Sequence, residues 1–116
     1  MVVDPLRLDE VWLVSLDPTE GSEMQKTRPC LVVSPNEINR YLRTVIVAPM
    51  TTTEGPYPTR VALTFRGRRG QVALDQVRAV DRNRLVRKLG RVSPRTAEGV
   101  SIVLVDMFAR PKVAGR

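Results

Sequence analysis

The sequence predicts an α+β fold that is mostly antiparallel β-sheet, arranged as a small barrel with a C-terminal α-helix. Its apolar runs are short, rich in Val and Leu, and separated by Pro, Gly or polar clusters, as is typical of strands. Ser93 and Pro94 then open one longer segment with helical periodicity. With 116 residues, the chain is expected to form a single domain, 1–116. Its core is expected at about 9–109 and a loose tail at 111–116.

The predicted strands follow one another along most of the chain. In the first, Glu10–Leu16, apolar residues fall on both faces, so both faces of the sheet must be at least half covered. The other strands are predicted at Cys30–Ser34, Thr44–Pro49, Thr59–Phe65, Gln71–Asp75 and, past a bend, Gln76–Val80. The turn Arg66–Gly70 joins the fourth and fifth of these six strands as a hairpin.

Helical segments are few. Pro35–Leu42 predicts a short helix, and Asp81 can cap a single turn ahead of Leu85. The longest helix is expected to begin at Pro94, with Ser93 as its N-cap. One face of that helix carries the apolar residues Ala97, Val100, Val103, Leu104, Met107 and Phe108. We expect this face to close the core.

The charge favours a polyanionic partner. Lys and Arg number 19 against 12 Asp and Glu, a net charge of +7. The segment Arg60–Arg91 alone holds ten bases, with Asp75 and Asp81 as its acids. These bases could line a groove that follows a sugar-phosphate backbone, or they could form an ordinary solvated surface.

Two residue counts exclude whole classes of site. Without any histidine, the chain cannot build a Ser-His-Asp triad, a two-histidine nuclease site or most catalytic zinc centres. With Cys30 as its one cysteine, it cannot form an intramolecular disulfide or a thiolate metal cage. The apolar neighbours of Cys30 predict a buried strand residue and not a nucleophile.

Neither a membrane span nor a secretory leader is predicted. The longest uncharged stretch, Thr44–Thr53, is ten residues long and ends in a polar run, too short to cross a bilayer. Charged residues occupy the positions where a signal peptide would be apolar. We therefore expect the protein in the cytoplasm.

Three segments place polar residues where a plain barrel does not need them. They are the long connection Asp17–Pro29, the strand end Ala48–Thr53 and the interrupted strand Ala73–Arg78. Each also has an ordinary explanation, as a polar loop, a strand rich in threonine and a capped bend. Taken singly, none of them establishes a catalytic site.

The strings in these segments resemble the MazF/PemK (Kid) toxins. They occur in that family's order over about residues 9–109. The matching strings are Asp9–Thr19, Gly21–Glu23, Thr27–Pro29, Val47–Thr51, Tyr57–Pro58, Leu74–Arg78 and Val80–Asp81 followed by Arg84–Leu85. A chance match of this many pieces in order is improbable.

The resemblance implies the toxin of a type II toxin-antitoxin pair. Such a toxin is an mRNA interferase: a sequence-specific endoribonuclease that cuts single-stranded RNA without a metal or other cofactor. The implied fold is a small SH3-like barrel with a terminal helix, paired as a homodimer. An acidic, MazE-like antitoxin would occupy the basic groove and block it. The apolar residues of the terminal helix, notably Met107 and Phe108, could supply the dimer contact, but we expect them in the core rather than at an interface.

The resemblance also implies site residues. Arg28 and Thr51 correspond to the family's catalytic pair, while Ser22 and Glu23 belong to a segment that handles substrate. Some relatives carry histidine at the Ser22 position and arginine at the Ala73 position, and this chain has neither. The residues predicted to contact RNA are Glu20, Ser22, Lys26, Thr52, Asp75, Gln76 and Arg78.

The residue types suit metal-free RNA cleavage. In that reaction the substrate's 2′-hydroxyl attacks the adjacent phosphate and leaves a 2′,3′-cyclic phosphate and a 5′-hydroxyl end. The Arg28 guanidinium can bind two phosphate oxygens, and the Thr51 hydroxyl can donate to another. Arginine, with a pKa above about 12, is a poor base, so Glu23 is the candidate base or base-orienter, with Glu20 and Asp75 behind it.

Two other functions remain open at this point. CcdB-type toxins share the predicted barrel and inhibit DNA gyrase without chemistry, so the fold alone does not choose between the two. A non-catalytic nucleic-acid-binding barrel would suit the basic segment equally well. The motifs favour the nuclease.

Overall fold

A computed structural model of the protein describes residues 6–17 and 26–111. Within these ranges the strands are β1 Glu10–Asp17, β2 Lys26–Val32, β3 Thr44–Thr51, β4 Arg60–Phe65, β5 Arg68–Ala73, β6 Arg78–Asp81 and β7 Leu85–Arg91. The helices are α1 Asn36–Tyr41 and α2 Pro94–Phe108, and two 3₁₀ turns lie at Leu74–Gln76 and Arg82–Arg84. The predicted tail lies outside the described residues apart from Pro111.

The strands form an antiparallel sheet followed by a C-terminal helix, as predicted. They run in the order β4-β5-β3-β2-β1-β7, and β6 pairs with β3 beside this path. The sheet is not closed into a barrel: in the part of the chain that the structure describes, no ladder joins the end strands β4 and β7. Helix α2 packs against the apolar residues of one face, and β1, β2, β3 and β6 themselves supply most of the apolar cluster on the other.

The sheet separates two apolar clusters. Alternate residues of β1 and β2 enter opposite clusters, with Val14 and Cys30 in the first and Val11 and Leu31 in the second. The prediction that both faces are covered is therefore confirmed. Helix α2 packs its residues Ala97, Val100, Val103, Leu104 and Met107 against the second cluster. Phe108 was predicted on this face but is 70% exposed, because it ends the helix beyond the core.

The sequence predicted β1 and β2 to be shorter, at the ends that face each other, than they are. It predicted a loop over Asp17–Pro29, whereas β1 continues to Asp17 and β2 already begins at Lys26. It also missed β7, which pairs with β1 from Leu85 to Arg91. Both segments are rich in Lys and Arg, which local sequence patterns associate with exposed loops.

The β4–β5 hairpin has a shorter turn than predicted. Phe65 pairs with Arg68, so only Arg66 and Gly67 form the loop. Their φ angles of 54° and 80° are both positive, as a type I′ turn requires. Arg68 and Arg69 are the exposed first residues of β5, and their charge alone made them resemble turn residues.

The predicted helix starts are confirmed. Ser93 caps α2 by accepting a hydrogen bond from the backbone N–H of Thr96 at 3.2 Å, with Pro94 at the first helical position. Asp81 caps its short turn by accepting from the N–H of Asn83 at 2.8 Å. Across residues 6–17 and 26–111, neither helix is both long and apolar enough to cross a bilayer.

A buried carboxylate ties the start of β1 to β7. The Glu10 side chain is 3% exposed and accepts from Trp12 Nε1 at 2.9 Å, from the Arg7 N–H at 3.0 Å and from Lys88 Nζ at 3.0 Å. Burial alone would raise the pKa of Glu10, but these hydrogen bonds and the Lys88 charge outweigh it and lower the pKa. The carboxylate form therefore stabilises the folded state.

We expect Glu10→Gln to lower the free energy of unfolding near pH 7 by about 1.5–3 kcal/mol, as for charged hydrogen bonds elsewhere. Because the folded-state pKa is depressed, the wild-type advantage is present above the unfolded pKa of about 4.3 and is lost as the pH falls through the folded value. Urea unfolding at pH 7 and pH 3.5 measures the difference, with the exposed Glu98→Gln as control. An equal difference at the two pH values would contradict the assignment.

Candidate active site

The site lies where β3 exchanges one neighbour for another. β3 pairs with β2 up to Pro49, which faces Cys30, and then pairs with β5 through Met50 and Thr51. Pro49 has no N–H to offer a ladder, so it suits this exchange point. A cleft therefore opens between β2 and the last residues of β3.

Arg28 on β2 and Thr51 on β3 belong to the same face of the sheet. By strand alternation Arg28 shares a sheet face with Cys30 on β2, and Thr51 shares that face with Pro49 on β3. Continuing the β2–β3 register past its last pair would set Arg28 opposite Thr51. Pro29 and Thr51 line a cavity of about 120 Å³, whereas the Arg28 side chain, by the same alternation, lies on the opposite face of β2 from Pro29. The register thus places the predicted pair on one face of the sheet, and both side chains are half-buried.

The Thr51 hydroxyl is oriented by its own strand end. Its Oγ1 accepts a hydrogen bond from the backbone N–H of Thr53 at 3.1 Å. Because the oxygen already accepts, the hydroxyl proton is left to donate to a ligand. Thr52, predicted to contact RNA, is exposed and lines the same cavity.

A second arginine lies near Arg28. Arg78 on β6 pairs with Val47, so its side chain belongs to the face on which Cys30 is buried. Burial raises the pKa of the Cys30 thiol to about 12, although the positive charges of Arg28 and Arg78 both act to lower it. The charges of two arginines from different strands thus act on the same buried sulfur. Cys30 itself is fully buried and protonated near neutral pH, as predicted for a residue that is not a nucleophile.

Asp75 and Gln76 protrude because a 3₁₀ turn is inserted beside β3. Val47 pairs with Arg78 and Met50 with Val72, so the five residues 73–77 lie opposite only two residues of β3. The extra residues bulge outward, and the side chains of Asp75 and Gln76 are exposed. The sequence predicted one strand through Gln71–Asp75 and another over Gln76–Val80, and missed this bulge.

The fold and the sequence identify a family. The family of PemK-like, MazF-like toxins of type II toxin-antitoxin systems matches residues 8–108. The chain belongs to this family. The family prediction made from the motifs is therefore confirmed.

Similar proteins in the PemK/MazF family agree with this assignment. The chain is 46% identical over 77 residues to Endoribonuclease PemK of Escherichia coli, covering 62% of the chain and 58% of that protein. It is 38% identical over 87 residues to Endoribonuclease toxin MazF of Escherichia coli strain K12, covering 74% and 78% respectively. A mycobacterial endoribonuclease, solved in complex with its cognate antitoxin, matches with a TM-score of 0.77 at 27% identity, over 93% of this chain and 99% of that one.

Part of the predicted toxin site lies outside the described residues. Glu20, Ser22 and Glu23 fall in the segment 18–25 and remain predictions. Lys26 begins β2 opposite Asp17, but its side chain is not described. Among the predicted site residues that the structure describes, Thr51 and Thr52 line one cavity, Arg28 and Arg78 belong to the sheet face on which Cys30 is buried, and Asp75 and Gln76 lie on the bulge.

Several basic residues predicted to line a groove serve the fold instead. Arg84 donates to the Ser15 carbonyl at 3.2 Å, Arg82 donates to the Asn39 carbonyl, and Lys88 binds Glu10. Arg60 pairs with Asp75. The basic segment is thus partly a set of structural links, which a count of charges does not reveal.

Sequence reasoning missed Gln71, a residue that shapes the cleft. The Gln71 amide is buried, donates to the Gly55 carbonyl at 2.9 Å and accepts from the Gly55 N–H at 3.3 Å. It therefore anchors the β3–β4 connection beside Thr51, which it faces across the β3–β5 ladder. A lone glutamine in a strand carries no sequence signal for such a role.

Gly70 allows β5 to approach Thr51 closely. A Cβ atom at Gly70 would clash with the Thr51 backbone carbonyl, so Gly70→Ala is expected to displace Thr51 and destabilise the fold by about 1–3 kcal/mol. Gly99→Ala is the control, because its Cβ would meet only Val61 Cγ1 at 3.7 Å and alanine favours the helix. Melting temperatures and RNA cleavage are measured for both. Unaltered stability and activity in Gly70→Ala would contradict the close approach.

Proposed function

We propose that this protein is a sequence-specific endoribonuclease that cuts single-stranded RNA in the cytoplasm without a metal ion. Its relatives are named endoribonucleases. The observation that supports the proposal is the β2–β3 register, which, continued past its last pair, sets Arg28 opposite Thr51 on one sheet face. A guanidinium and a hydroxyl donor at one site suit a phosphate that gains negative charge during reaction.

The proposed reaction uses the RNA's own 2′-hydroxyl as nucleophile. A bond forms between the 2′-oxygen and the phosphorus while the bond from phosphorus to the 5′-oxygen breaks. The 2′-hydroxyl proton passes to a base, and the leaving 5′-oxygen gains a proton. Arg28 binds the non-bridging oxygens and Thr51 donates to one of them, so both stabilise the added charge. The products are a 2′,3′-cyclic phosphate and a 5′-hydroxyl end.

We assign the proton-accepting role to Glu23, with Glu20 as its alternative. Asp75 is a weaker choice because the Arg60 guanidinium holds the pKa of that carboxyl down at about 2. A carboxylate with so low a pKa has little tendency to take a proton near neutral pH. The remaining RNA contacts are assigned to Ser22, Lys26, Thr52, Gln76 and Arg78.

The partner protein we propose is an acidic, MazE-like antitoxin. The chain carries a net charge of +7, and a mycobacterial relative was solved with its cognate antitoxin. An acidic segment would be attracted to Arg28 and Arg78 for the same reason as an RNA phosphate. Binding of the antitoxin and of RNA is then mutually exclusive.

We also propose a homodimer, formed through the outer side of α2. Ile102, Val105 and Phe108 are 62%, 69% and 70% exposed on this helix. Met107, the other candidate from the sequence, packs against the core instead. Val105→Asp is expected to shift the sedimentation coefficient from that of a dimer to that of a monomer. A dimer that survives this change would place the contact elsewhere.

Incubation of the purified protein with a long single-stranded RNA in EDTA tests the proposed activity. We expect discrete fragments from the wild type and from Thr53→Val, and cleavage slowed roughly 10- to 100-fold in Thr51→Val, as for the loss of one hydrogen bond to a charged group. Thr53→Val is the matched control because Thr53 binds the Thr51 hydroxyl through its backbone N–H, which the substitution keeps. Intact RNA together with inhibited DNA gyrase would support the CcdB-type alternative, and intact RNA that is merely bound would support a non-catalytic binder.

A further inference from the structure

The tip of the β4–β5 hairpin carries three exposed arginines within four positions: Arg66, Arg68 and Arg69. Several other arginines of the basic segment link parts of the fold, but these three donate no side-chain hydrogen bond to any residue that the structure describes. None of the strings that carry the family resemblance falls in residues 59–73. The basic tip is therefore a feature of this chain that neither the fold nor the resemblance has explained.

The strand register places Arg69 on the same sheet face as Thr51. Thr51 pairs with Gln71 across the β3–β5 ladder, and residues paired in an antiparallel ladder share a face. Arg69 lies two residues before Gln71 on β5, so alternation returns its side chain to that face. Arg69 is thus the diagonal neighbour of Thr51, about 7–8 Å away, a distance that a long side chain spans.

Arg28 and Arg69 lie on opposite sides of Thr51. The β2–β3 register, continued past its last pair, sets Arg28 opposite Thr51, whereas Arg69 comes from β5 on the other side of β3. Neighbouring strands are about 4.8 Å apart and rise about 3.4 Å per residue, so the backbones of the two arginines are about 12 Å apart along the sheet. An RNA strand that crosses β3 at Thr51 would meet a guanidinium on each side.

Arg69 is exposed and only loosely held by the protein. Its side chain is 79% exposed, and its Nε lies 3.7 Å from Oε2 of Glu54, which is itself 49% exposed. This separation is too long for a hydrogen bond, and an exposed ion pair of this kind contributes little to stability. Arg69 and Glu54 border an open groove of about 380 Å³ together with Ala62 and Thr64. The guanidinium is therefore accessible to an anion in this groove.

The anion that this position suits best is a backbone phosphate. A guanidinium offers two parallel N–H donors, which match two oxygens of one phosphate. Arg69 also shares its face with Arg28 and Thr51, the residues assigned to the reacting phosphate, so one strand of RNA can reach all three. A phosphate contact fixes the position of the strand and carries no information on the base sequence.

We propose that Arg69 binds the phosphate of a nucleotide flanking the cut, on the side of Thr51 away from Arg28, and so fixes the path of the RNA across the sheet. This inference rests on the proposed endoribonuclease function and adds to it a substrate-binding residue in the β4–β5 hairpin. Arg69 touches no reacting atom in this arrangement. Its contribution is to RNA binding and not to the chemical step.

Arg69→Gln tests the inference, with Arg68→Gln as the matched control. The two arginines are neighbours with the same charge, but alternation puts the Arg68 side chain on the opposite face, with Phe65. Arg69→Gln is expected to raise KM roughly 5- to 10-fold at unchanged kcat for every RNA sequence, slightly less than a buried charged hydrogen bond contributes because the groove is open to water. Arg68→Gln keeps the wild-type values. Equal effects in the two variants would overturn the inference, since only the net charge would then matter.

A second variant separates lost phosphate binding from repulsion by the carboxylate that Arg69→Gln leaves unpaired. Arg69→Gln combined with Glu54→Gln is expected to keep most of the rise in KM. A return to the wild-type KM in the double variant would overturn the inference. Melting temperatures of all variants are measured alongside and should stay within about 2 °C of wild type, because exposed positions are being changed.

Substrates with one neutral methylphosphonate in place of a phosphate locate the contact. Wild type is expected to bind less tightly at one flanking position by the factor that Arg69→Gln loses, and Arg69→Gln loses nothing further at that position. If methylphosphonates weaken binding to Arg69→Gln and to wild type equally at every position, Arg69 contacts no flanking phosphate and the inference fails.

Binding without cleavage distinguishes failure of this inference from failure of the proposed function. A 2′-O-methyl oligonucleotide, which 2′-hydroxyl attack cannot cut, is titrated at several salt concentrations. Loss of one phosphate contact reduces the slope of log K against log salt by about 0.7 in Arg69→Gln, and this result supports the phosphate site even if wild type cuts no RNA. Wild-type affinity and slope in Arg69→Gln overturn it. Weaker binding of a polyglutamate peptide with RNA binding unchanged also overturns it, by assigning Arg69 to an acidic protein.

Discussion

Replacing Arg28 by alanine is expected to lower kcat/KM for RNA cleavage by roughly 10²–10³-fold, the effect seen when one donor to a developing oxyanion is removed elsewhere. The guanidinium is assigned to the phosphate oxygens, whose charge grows as the 2′-oxygen attacks. Arg28→Lys should recover only part of the rate, because an ammonium cannot bind two oxygens in one plane.

Arg95→Ala is the matched control for Arg28→Ala. It removes the same charge from the exposed start of α2. Initial cleavage rates on one defined RNA are measured for all variants, together with their melting temperatures. If Arg28→Ala cuts as fast as Arg95→Ala, Arg28 does not contact the reacting phosphate.

A single 2′-deoxy nucleotide on the 5′ side of the cut is expected to abolish cleavage. The attacking oxygen is then missing, and an external water lacks the advantage of an intramolecular nucleophile, so the loss should exceed about 10³-fold. Binding should weaken little, because the phosphates that dominate affinity are retained. The same substitution one nucleotide further away is the control.

Gel analysis of end-labelled RNA and a binding titration together distinguish the possible outcomes. Uncut but normally bound deoxy-substituted RNA supports attack by the 2′-hydroxyl. Cleavage at the substituted position at the normal rate would show that an external nucleophile is used, and the roles given to Arg28 and Thr51 would have to be reassigned.

Short-range patterns in the sequence were reliable guides to the fold. The alternation of apolar residues in β1 predicted that both sheet faces are covered, and the Ser93-Pro94 start of α2 was confirmed. These patterns depend on neighbouring residues only. Closure of a barrel depends on whether the end strands meet, which no local pattern encodes, and among the described residues the end strands β4 and β7 form no ladder.

The same distinction applies to the site. The motifs singled out Arg28 and Thr51, and the β2–β3 register, continued past Pro49, sets the two residues on one sheet face. The Arg60–Asp75 pair was missed because it depends on the β4–β5 register, in which Arg60 faces Ala73, and on the bulge that turns Asp75 outward. Residues 15 positions apart in the chain meet only after both features have formed.

The ends of the RNA fragments test the central claim most directly. Fragments made by wild-type protein in EDTA are analysed by mass spectrometry and by labelling with polynucleotide kinase. Attack by the 2′-hydroxyl, stabilised by Arg28 and Thr51 without a metal ion, predicts 2′,3′-cyclic phosphates and 5′-hydroxyl ends. Fragments with 3′-hydroxyl and 5′-phosphate ends, or cleavage that EDTA abolishes and added Mg²⁺ restores, would contradict it.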